Sequence, residues 1–383
     1  MNKVIDILKI ANYDKFKCIA DKCRFTCCEG WDVGIDTDTY NKWKEEDGTS
    51  GHILDNVKIK KCGSKTEYFI NKETNEACAF LNKQGLCQIV KKHGEEYLSL
   101  TCHMFPRIEN IFQDKKELSL SCACPEVVEL ISSITGKINI IPENDANIRS
   151  ELVELKIRKA VINIMEQKNF LLEEKLIISF EMLITILKDE NLREDDILLE
   201  ELEKYNSREY IQEFIDMYKE IELNINDSFE EINNLFLDII QNYKQVSILD
   251  ILLKDISDFA ENVKVGSLSA KWHDYKILFE QYNQLIQNCI VAKILSSCVS
   301  NDMEEMTISF QIIILEYLLV RYAMFLKYCM NKNKELVAED IKNYIVAFSR
   351  IIGNNTEAVM EFIRDGFGED VLEIGYLCFI TLF

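Results

Sequence analysis

The chain has little of the residues that interrupt regular structure. Its 383 residues include only 3 prolines and 13 glycines. All three prolines and eight of the glycines lie in residues 1–145, and no glycine lies between Gly136 and Gly266. Because proline and glycine disfavour helix interiors, their scarcity beyond residue 145 predicts helices there rather than sheets or long loops.

The sequence also lacks a long, uninterrupted apolar segment. Its first residues, MNKVIDILKIAN, contain no apolar core of the kind found in secretory signals. The most apolar stretch covers 308–326, but Glu316 and Arg321 interrupt it, which favours a buried helix over a membrane span. We therefore expect a cytoplasmic protein without a membrane partner, in a compartment where thiols stay reduced.

Positive charge is scarce and unevenly distributed. The chain has 44 Lys and Arg against 65 Asp and Glu, a net charge of −21. Residues 1–150 carry a net charge of −2 and residues 151–383 a net charge of −19. Such a surface repels phosphates, which argues against nucleic acid as a partner, and it attracts cationic groups such as lysine side chains. The alternative interpretation is that the negative charge only keeps the helical surface soluble and does not recruit a partner. The oligomeric state stays open.

Apolar residues recur at helical spacing through the second part of the chain, for example at Ile157, Val161, Ile164 and Met165. The predicted helices cover about 147–168, 171–188, 194–205, 207–222, 227–242, 247–262, 268–299, 303–331, 335–352 and 355–364. The expected fold class is mainly α. A small, irregular α+β, cysteine-rich domain at 1–145 precedes an acidic all-helical domain at 146–383.

Local signals in the first part predict short, mixed elements. A short helix is expected over 36–44, where aspartates cap its start. A hairpin is expected over 58–70, turning at Gly63 and Ser64. A strand is expected over 118–121, followed by a helix over 125–134 that has proline in its first turn.

Cysteine is the abundant residue, with 14 in the chain and ten of them in the first part. Those ten are Cys18, Cys23, Cys27, Cys28, Cys62, Cys78, Cys87, Cys102, Cys122 and Cys124. Disulfides are disfavoured by a reducing compartment and by the adjacency of two of the cysteines. Inert buried thiols are a second interpretation. It suits the cysteines in helical apolar surroundings, namely Cys289, Cys298, Cys329 and Cys378.

Two metal sites compete for the N-terminal cysteines. Zinc bound by four thiolates often stabilises a small, loop-rich region, although the spacing C-x4-C-x3-C-C is not the paired C-x2-C of zinc ribbons. An iron–sulfur cluster tolerates irregular spacing and selects soft thiolate ligands. Spacing alone does not decide between them.

Four segments of the first part together resemble the flagellin lysine-N-methylase family, and with it a broader zinc- or iron-chelating cysteine-cluster domain. They are CIADKCRFTCCEGWDVGID at 18–36, CAFLNKQGLCQI at 78–89, LSLTCHMFPR at 98–107 and ELSLSCACPE at 117–126. Their order and spacing make a chance match improbable. They cover about the first 135 residues, and homology of the helical remainder is assumed.

The resemblance implies an S-adenosylmethionine-dependent lysine N-methyltransferase of flagellin, a protein of the bacterial flagellum, with an iron–sulfur cluster of the 4Fe–4S type. Its metal ligands would be Cys18, Cys23, Cys27, Cys28, Cys78, Cys87, Cys102 and Cys124. Cys62 and Cys122 fall outside the pattern. Cys122 would point the same way as Cys124 on a strand and could replace it as a ligand. Whether the eight form one metal site or two stays open, and zinc is the alternative metal.

Motifs that would place the methyl donor are absent. Cys23 and Cys27 match the first interval of the radical C-x3-C-x2-C motif, but Gly30 occupies the third position. A glycine-rich dinucleotide loop is absent too. Arg107 is the candidate for cofactor binding, as a donor to a cluster sulfur or to a carboxylate. No catalytic residue is predicted.

Two other functions fit composition and spacing. The chain would then be a non-enzymatic protein whose zinc or iron site holds a helical interaction domain together, or a redox partner that uses a cluster for one-electron chemistry. Metal retention without binding of S-adenosylmethionine would support the first of these. Reversible reduction without methyl transfer would support the second.

Overall fold

The computed structural model describes residues 6–50, 53–62, 65–113, 115–143, 152–222, 224–241, 243–244, 246–331 and 335–353, together with 359, 361, 364–365, 376 and 380. Helices dominate the described chain, and the strands are confined to a small N-terminal α+β region. The predicted fold class, mainly α, is therefore confirmed.

The N-terminal part contains short strands and helices in mixed order. The strands are β1 (Asp6–Ile10), β2 (Gly34–Ile35), β3 (Val57–Cys62), β4 (Lys65–Ile70), β5 (Arg107–Ile111), β6 (Lys115–Leu120) and β7 (Ile140–Glu143). The helices are α1 (Thr37–Ser50), α2 (Gln88–His93), α3 (Leu100–Met104) and α4 (Pro125–Ser132). The predicted hairpin is β3–β4, although its turn at Gly63 and Ser64 lies outside the described residues. The helix predicted over 36–44 extends further, to Ser50.

The strands form two sheets. One is a four-stranded sheet in the order β5-β6-β1-β7, and the other is a three-stranded antiparallel sheet in the order β2-β4-β3. In the larger sheet β1 runs parallel to β6, with Leu8 opposite Glu117, while the other neighbours are antiparallel. This pairing joins the start of the chain to residues more than 100 positions later.

The second part is helical throughout the residues that the structure describes between Val153 and Ile351. Its helices are α5 (Val153–Glu166), α6 (Leu172–Lys188), α7 (Asp195–Lys204), α8 (Arg208–Lys219), α9 (Ile225–Gln241), α10 (Ser247–Asn262), α11 (Ser269–Phe279), α12 (Asn283–Ser297), α13 (Met303–Met330) and α14 (Ala338–Ile351). Most predicted helices are confirmed within a few residues. The helix predicted over 268–299 is instead two helices, since a 3₁₀ turn at Glu280–Tyr282 separates α11 from α12. Most of the helix predicted over 355–364 lies outside the described residues.

Buried apolar side chains form two separate cores. The large core joins α4–α14 to residues of the N-terminal part, including Ile10, Phe25 and Leu120. The small core belongs to the middle of the N-terminal part, between Phe25 and Leu120 in sequence. It consists of Val33, Ile35, Trp43, Ile53, Ile70, Cys78, Phe80 and Ile89. The ends of the N-terminal part are thus packed onto the helical bundle, while its middle has a core of its own. The predicted boundary near residue 145 stays a prediction.

Helix α13 is long and apolar enough to cross a membrane by length and composition. In this fold 89% of its most apolar window is buried against other elements. The two charged residues that interrupt the stretch are paired inside the protein, Arg321 with Glu173 and Glu316 with Lys293. The prediction of a buried core helix is confirmed.

A cysteine-rich candidate metal site

Backbone pairing brings the loop that carries Cys27 and Cys28, called here the first loop, against the loop of Cys78. The Cys78 amide donates to the Cys28 carbonyl at 2.7 Å, and Glu29 forms an isolated bridge with Ala77. Gly30 has φ +86°, and a Cβ placed on it would meet the Val246 side chain at 3.2 Å, so glycine is required at this turn. The loop is consequently fixed on one side by the small core and on the other by the entry to α10.

Two short helices present the next cysteines. Cys87 immediately precedes α2, and Cys102 lies inside α3. The Ser99 hydroxyl caps α3 by accepting from the Cys102 amide at 3.3 Å, and Asp36 accepts from the Leu100 amide at 2.8 Å. Side-chain capping of this kind satisfies otherwise unpaired N–H groups, and here it sets the orientation of Cys102 toward the first loop.

The sulfurs of Cys27, Cys28, Cys78, Cys87 and Cys102 form one electrostatic network. Contact with Cys28, followed by burial, raises the pKa of Cys27 far above the usual range of a thiol. The contact with Cys27 by itself lowers the pKa of Cys28. The contact with Cys78 and burial together have the larger effect, and they raise the pKa of Cys28 to about 12. Burial, with the nearby Cys27 and Cys87, raises the pKa of Cys102 to about 11. Ionisation of these thiols is therefore disfavoured, and a cation placed among them would favour it.

The remaining cysteines connect to the same network through Cys27. Burial raises the pKa of Cys23, and neighbouring Cys27 and Cys18 add to the rise. Burial also raises the pKa of Cys124 to about 12, with a further contribution from Cys23. All eight cysteines of the predicted ligand set are thus linked, each to at least one other, across four separate stretches of sequence.

Arg350 of α14 lies where the cysteine loops meet the helical bundle. Its guanidinium donates to the carbonyls of Phe25 and Thr26, both at 2.7 Å, and to that of Ala123 at 2.9 Å. Only 2% of the residue is exposed. Burial lowers the pKa of Arg350, while Cys27, Cys23, Cys124 and Glu29 oppose that change by favouring its charged form. Arg350 therefore fixes two cysteine loops and brings one positive charge to the thiols.

The described residues contain no group of three His, Cys, Asp or Glu side chains already placed to coordinate a metal. The donor set nevertheless fits a thiolate-bound metal in chemistry, since the eight thiols are soft ligands next to a fixed cation, and all of them except the exposed Cys18 are half-buried or buried. The twelve cysteines whose side chains the structure describes are all free thiols. The assignment of the eight as ligands, and of one site or two, stays a prediction.

Arg107, the predicted cofactor-binding residue, lies at the start of β5. Its guanidinium donates to the Phe16 carbonyl at 3.5 Å and stacks over the rings of Phe16 and Tyr13, at 5.1 and 6.0 Å. The cation whose charge favours the ionised forms of Cys23, Cys27 and Cys124 is Arg350, not Arg107. Sequence reasoning missed Arg350, although a charged residue in the run YIVAFSRII, in the mostly apolar second half of the helix, signals a buried partner.

Cys122 does not share the environment of Cys124, so the expectation that it could replace Cys124 is wrong. Strand β6 ends at Leu120, and the chain then turns. Cys122 is buried against Cys289 of α12, whose carbonyl its sulfur approaches at 4.0 Å. Strand alternation fails as a guide because no strand continues through these residues. The side chain of Cys62 and all of Cys378 lie outside the described residues.

Comparison with known proteins gives the following matches. The FliB lysine N-methylase C-terminal domain matches residues 158–380. A protein named Lysine-N-methylase from Salmonella typhimurium is 31% identical over 135 residues, which is 34% of this chain and 33% of the relative. A protein named Flagellar biosynthetic protein FliU from Salmonella muenchen is 33% identical over 132 residues, 34% of this chain and 78% of the relative. The match therefore spans only about a third of the length of the lysine N-methylase. No solved structure matches.

Proposed function

The chain belongs to the FliB lysine N-methylase family, and we propose that it is a protein-lysine N-methyltransferase that transfers the methyl group of S-adenosylmethionine to flagellin. Family membership, through the match over residues 158–380, is the observation that carries this proposal. The name of one relative specifies lysine methylation, and that of another specifies flagellar biosynthesis. We place the reaction in the cytoplasm, before the filament protein is exported.

The charge of the helical part suits a lysine-bearing substrate. Residues 151–383 carry a net charge of −19 and contain the whole match to the family model, at 158–380. A field of this sign attracts exposed lysines and speeds encounter, most strongly at low ionic strength. The attacking amine has to be neutral, whereas free lysine has a pKa of about 10.4. A desolvating site next to the acidic surface would favour loss of that proton.

We propose further that Cys18, Cys23, Cys27, Cys28, Cys78, Cys87, Cys102 and Cys124 hold an iron–sulfur cluster of the 4Fe–4S type. The network that links these eight thiols supports it, as does the cation of Arg350 beside them. When bound, such a cluster supplies iron that accepts ligand donor atoms and cross-links the loops that carry its thiolates. Zinc is the competing metal, and only metal analysis separates the two.

The test is methyl transfer with defined components. The protein is purified without oxygen and incubated with S-adenosylmethionine and unmethylated flagellin, and flagellin peptides are then mapped by mass spectrometry. The proposal predicts methylated lysines that are absent when the protein or the methyl donor is omitted. Unmodified flagellin, with a protein that is folded and metal-loaded, would contradict it.

A further inference from the structure

Helix α8 carries two apolar faces, and only one of them is used by the fold. Ile211 and Ile215 are buried against the helical bundle, at 1% and 4% exposure. A second set of apolar residues recurs at helical spacing and ends just beyond the helix. This set, called here the α8 stripe, consists of Tyr210, Phe214, Met217 and Ile221. Because an α-helix turns about 100° per residue, the four side chains share one side of it.

The outer part of the α8 stripe is open to solvent. Met217 is 60% exposed and Ile221 is 46% exposed, whereas Tyr210 and Phe214 are partly buried against the large core. Large apolar side chains that lie side by side in water, with charges around them, are typical of a protein interaction site. The stripe is about 16 Å long, which matches about three turns of a second helix laid along it.

The inner part of the α8 stripe is held in place by other rings. Tyr205, directly after α7, is 1% exposed and donates its hydroxyl to Glu181 at 2.6 Å. Its ring meets the Tyr210 ring edge-on at 5.3 Å. The Phe214 ring lies 6.4 Å from that of Tyr210 and 5.2 Å from that of Tyr218. Rings fixed in this way lose little conformational entropy when a partner binds.

Negative charge is concentrated around the same helix. Residues 194–231, which include α7, α8 and the start of α9, contain 14 Asp and Glu against 3 Lys and Arg. Their net charge of −11 is about half of that of the whole chain. The one lysine of α8, Lys219, is paired with Glu174 of α6 at 2.7 Å. Three exposed carboxylates without an ion pair among the described residues follow the open edge of the stripe, namely Glu209, Glu213 and Glu220.

We infer that the α8 stripe and these three carboxylates form the docking surface for the methyl-accepting protein. The occupant is an amphipathic helix of that protein, with lysines beside its apolar face. Its apolar residues cover Met217 and Ile221, and its lysines lie against the carboxylates. Charge selects this occupant, because a second copy of the chain, at −21, would be repelled. The inference rests on the proposed methyltransferase activity and assigns substrate recognition to α8.

Steady-state methylation of monomeric flagellin by the metal-loaded protein tests the apolar contact. Met217→Ser combined with Ile221→Ser alters two exposed side chains, so the fold should be retained. We expect the KM for flagellin to rise about 10- to 100-fold without a change in kcat, since the lost contact stabilises substrate and transition state equally. Ile251→Ser combined with Ile277→Ser, at 79% and 57% exposed positions of α10 and α11, is the matched control and should keep the wild-type KM.

A second pair of variants tests the charge. Replacing Glu209, Glu213 and Glu220 together by glutamine should raise the KM about 10-fold at low ionic strength, and this difference should shrink in about 0.5 M salt. The control has the same change in net charge at exposed carboxylates elsewhere, namely Asp255→Asn, Asp258→Asn and Glu304→Gln. Equal rises of KM in the two triple variants would show that net charge alone attracts flagellin, and would overturn the assignment to α8.

The outcomes separate the docking surface from the activity. A wild-type KM in the Met217→Ser, Ile221→Ser variant, with flagellin methylated, overturns the docking surface and leaves the activity intact. A wild-type dimer that becomes a monomer in the same variant, measured by sedimentation velocity, would make the stripe an interface between copies and also overturns it. A folded, metal-loaded wild type that methylates no flagellin lysine overturns the activity and, with it, this inference.

Discussion

At the scale of single residues, Arg350 joins the two parts of the chain. The hydrogen bonds that it donates to Phe25, Thr26 and Ala123 end on the loops of Cys23–Cys28 and Cys122–Cys124, which are about 100 residues apart in sequence. Nothing in the first part of the sequence indicates this partner, because the interaction is tertiary. The pairwise links among the eight cysteines, in contrast, agree with their motif, whereas the environment of Cys122 does not follow from its spacing to Cys124.

Replacing Arg350 by alanine should lower the free energy of unfolding by about 3–5 kcal/mol, because buried carbonyls lose a charged donor. Urea unfolding at pH 7 measures the change. The matched control is Arg24→Ala, since Arg24 also reaches α14, at Glu339, but through an exposed ion pair of 2.7 Å. That variant should lose less than about 1 kcal/mol. Equal losses in the two variants would refute the role given to Arg350.

Glu181 should make stability depend on pH. Burial raises the pKa of its carboxyl, although Tyr205 and Thr185 donate to it at 2.6 and 2.7 Å. A raised folded-state pKa means that the folded state binds more protons, so wild-type stability falls as pH rises through that pKa. Relative to Glu181→Gln, the wild type should therefore be less stable at pH 7 than at pH 4.5. Urea unfolding of both proteins at the two pH values measures this.

Glu261→Gln is the control, because the pH dependence of its stability difference from the wild type should have the opposite sign. The ion pair with Lys244 lowers the pKa of the exposed Glu261 carboxyl, so its small contribution is lost as pH falls. A Glu181→Gln difference that stays constant between the two pH values would contradict the assignment of a raised pKa.

At the scale of elements, local patterns and long-range pairing differ in how well sequence predicts them. The helices of the second part were predictable because their apolar residues recur every three or four positions over many turns. The sheet β5-β6-β1-β7 was not, since β1 has five residues and finds its parallel partner more than 100 residues away. The break at Glu280–Tyr282 was missed because no proline or glycine marks it.

Helix α13 should behave as the centre of the helical core. Leu319 on this helix is fully buried, so Leu319→Ala should cost about 2–5 kcal/mol through lost burial and the cavity that remains. Ile251→Ala on α10 is the control, since Ile251 is 79% exposed, and it should change stability by less than about 0.5 kcal/mol. Urea midpoints of the two variants would contradict this account if they shifted equally.

At the scale of the whole molecule, the two cores should respond differently to the loss of metal. The small core has eight buried residues and includes Cys78, one of the proposed ligands, whereas the large core extends over the helical bundle. Small units of this kind depend on added cross-links such as metals. Metal removal should therefore loosen the segment that contains β2–β4 and leave α5–α14 folded.

Hydrogen exchange with mass spectrometry measures this directly. After chelation, peptides from β2 to α3 should lose protection, while peptides from α6 and α13 keep it. Cys329→Ser, which alters a cysteine outside the proposed ligand set, should show the wild-type pattern before and after chelation. Uniform loss of protection across the chain would contradict two separable cores.

The most direct test of the central claim is the metal content of the protein purified without oxygen. Iron, acid-labile sulfide and zinc are assayed on one sample whose visible spectrum is recorded. The account predicts a brown protein with matching iron and sulfide, and loss of both when Cys28 and Cys78 are replaced by serine. A colourless, folded protein with stoichiometric zinc and no iron, even after anaerobic reconstitution, would contradict it.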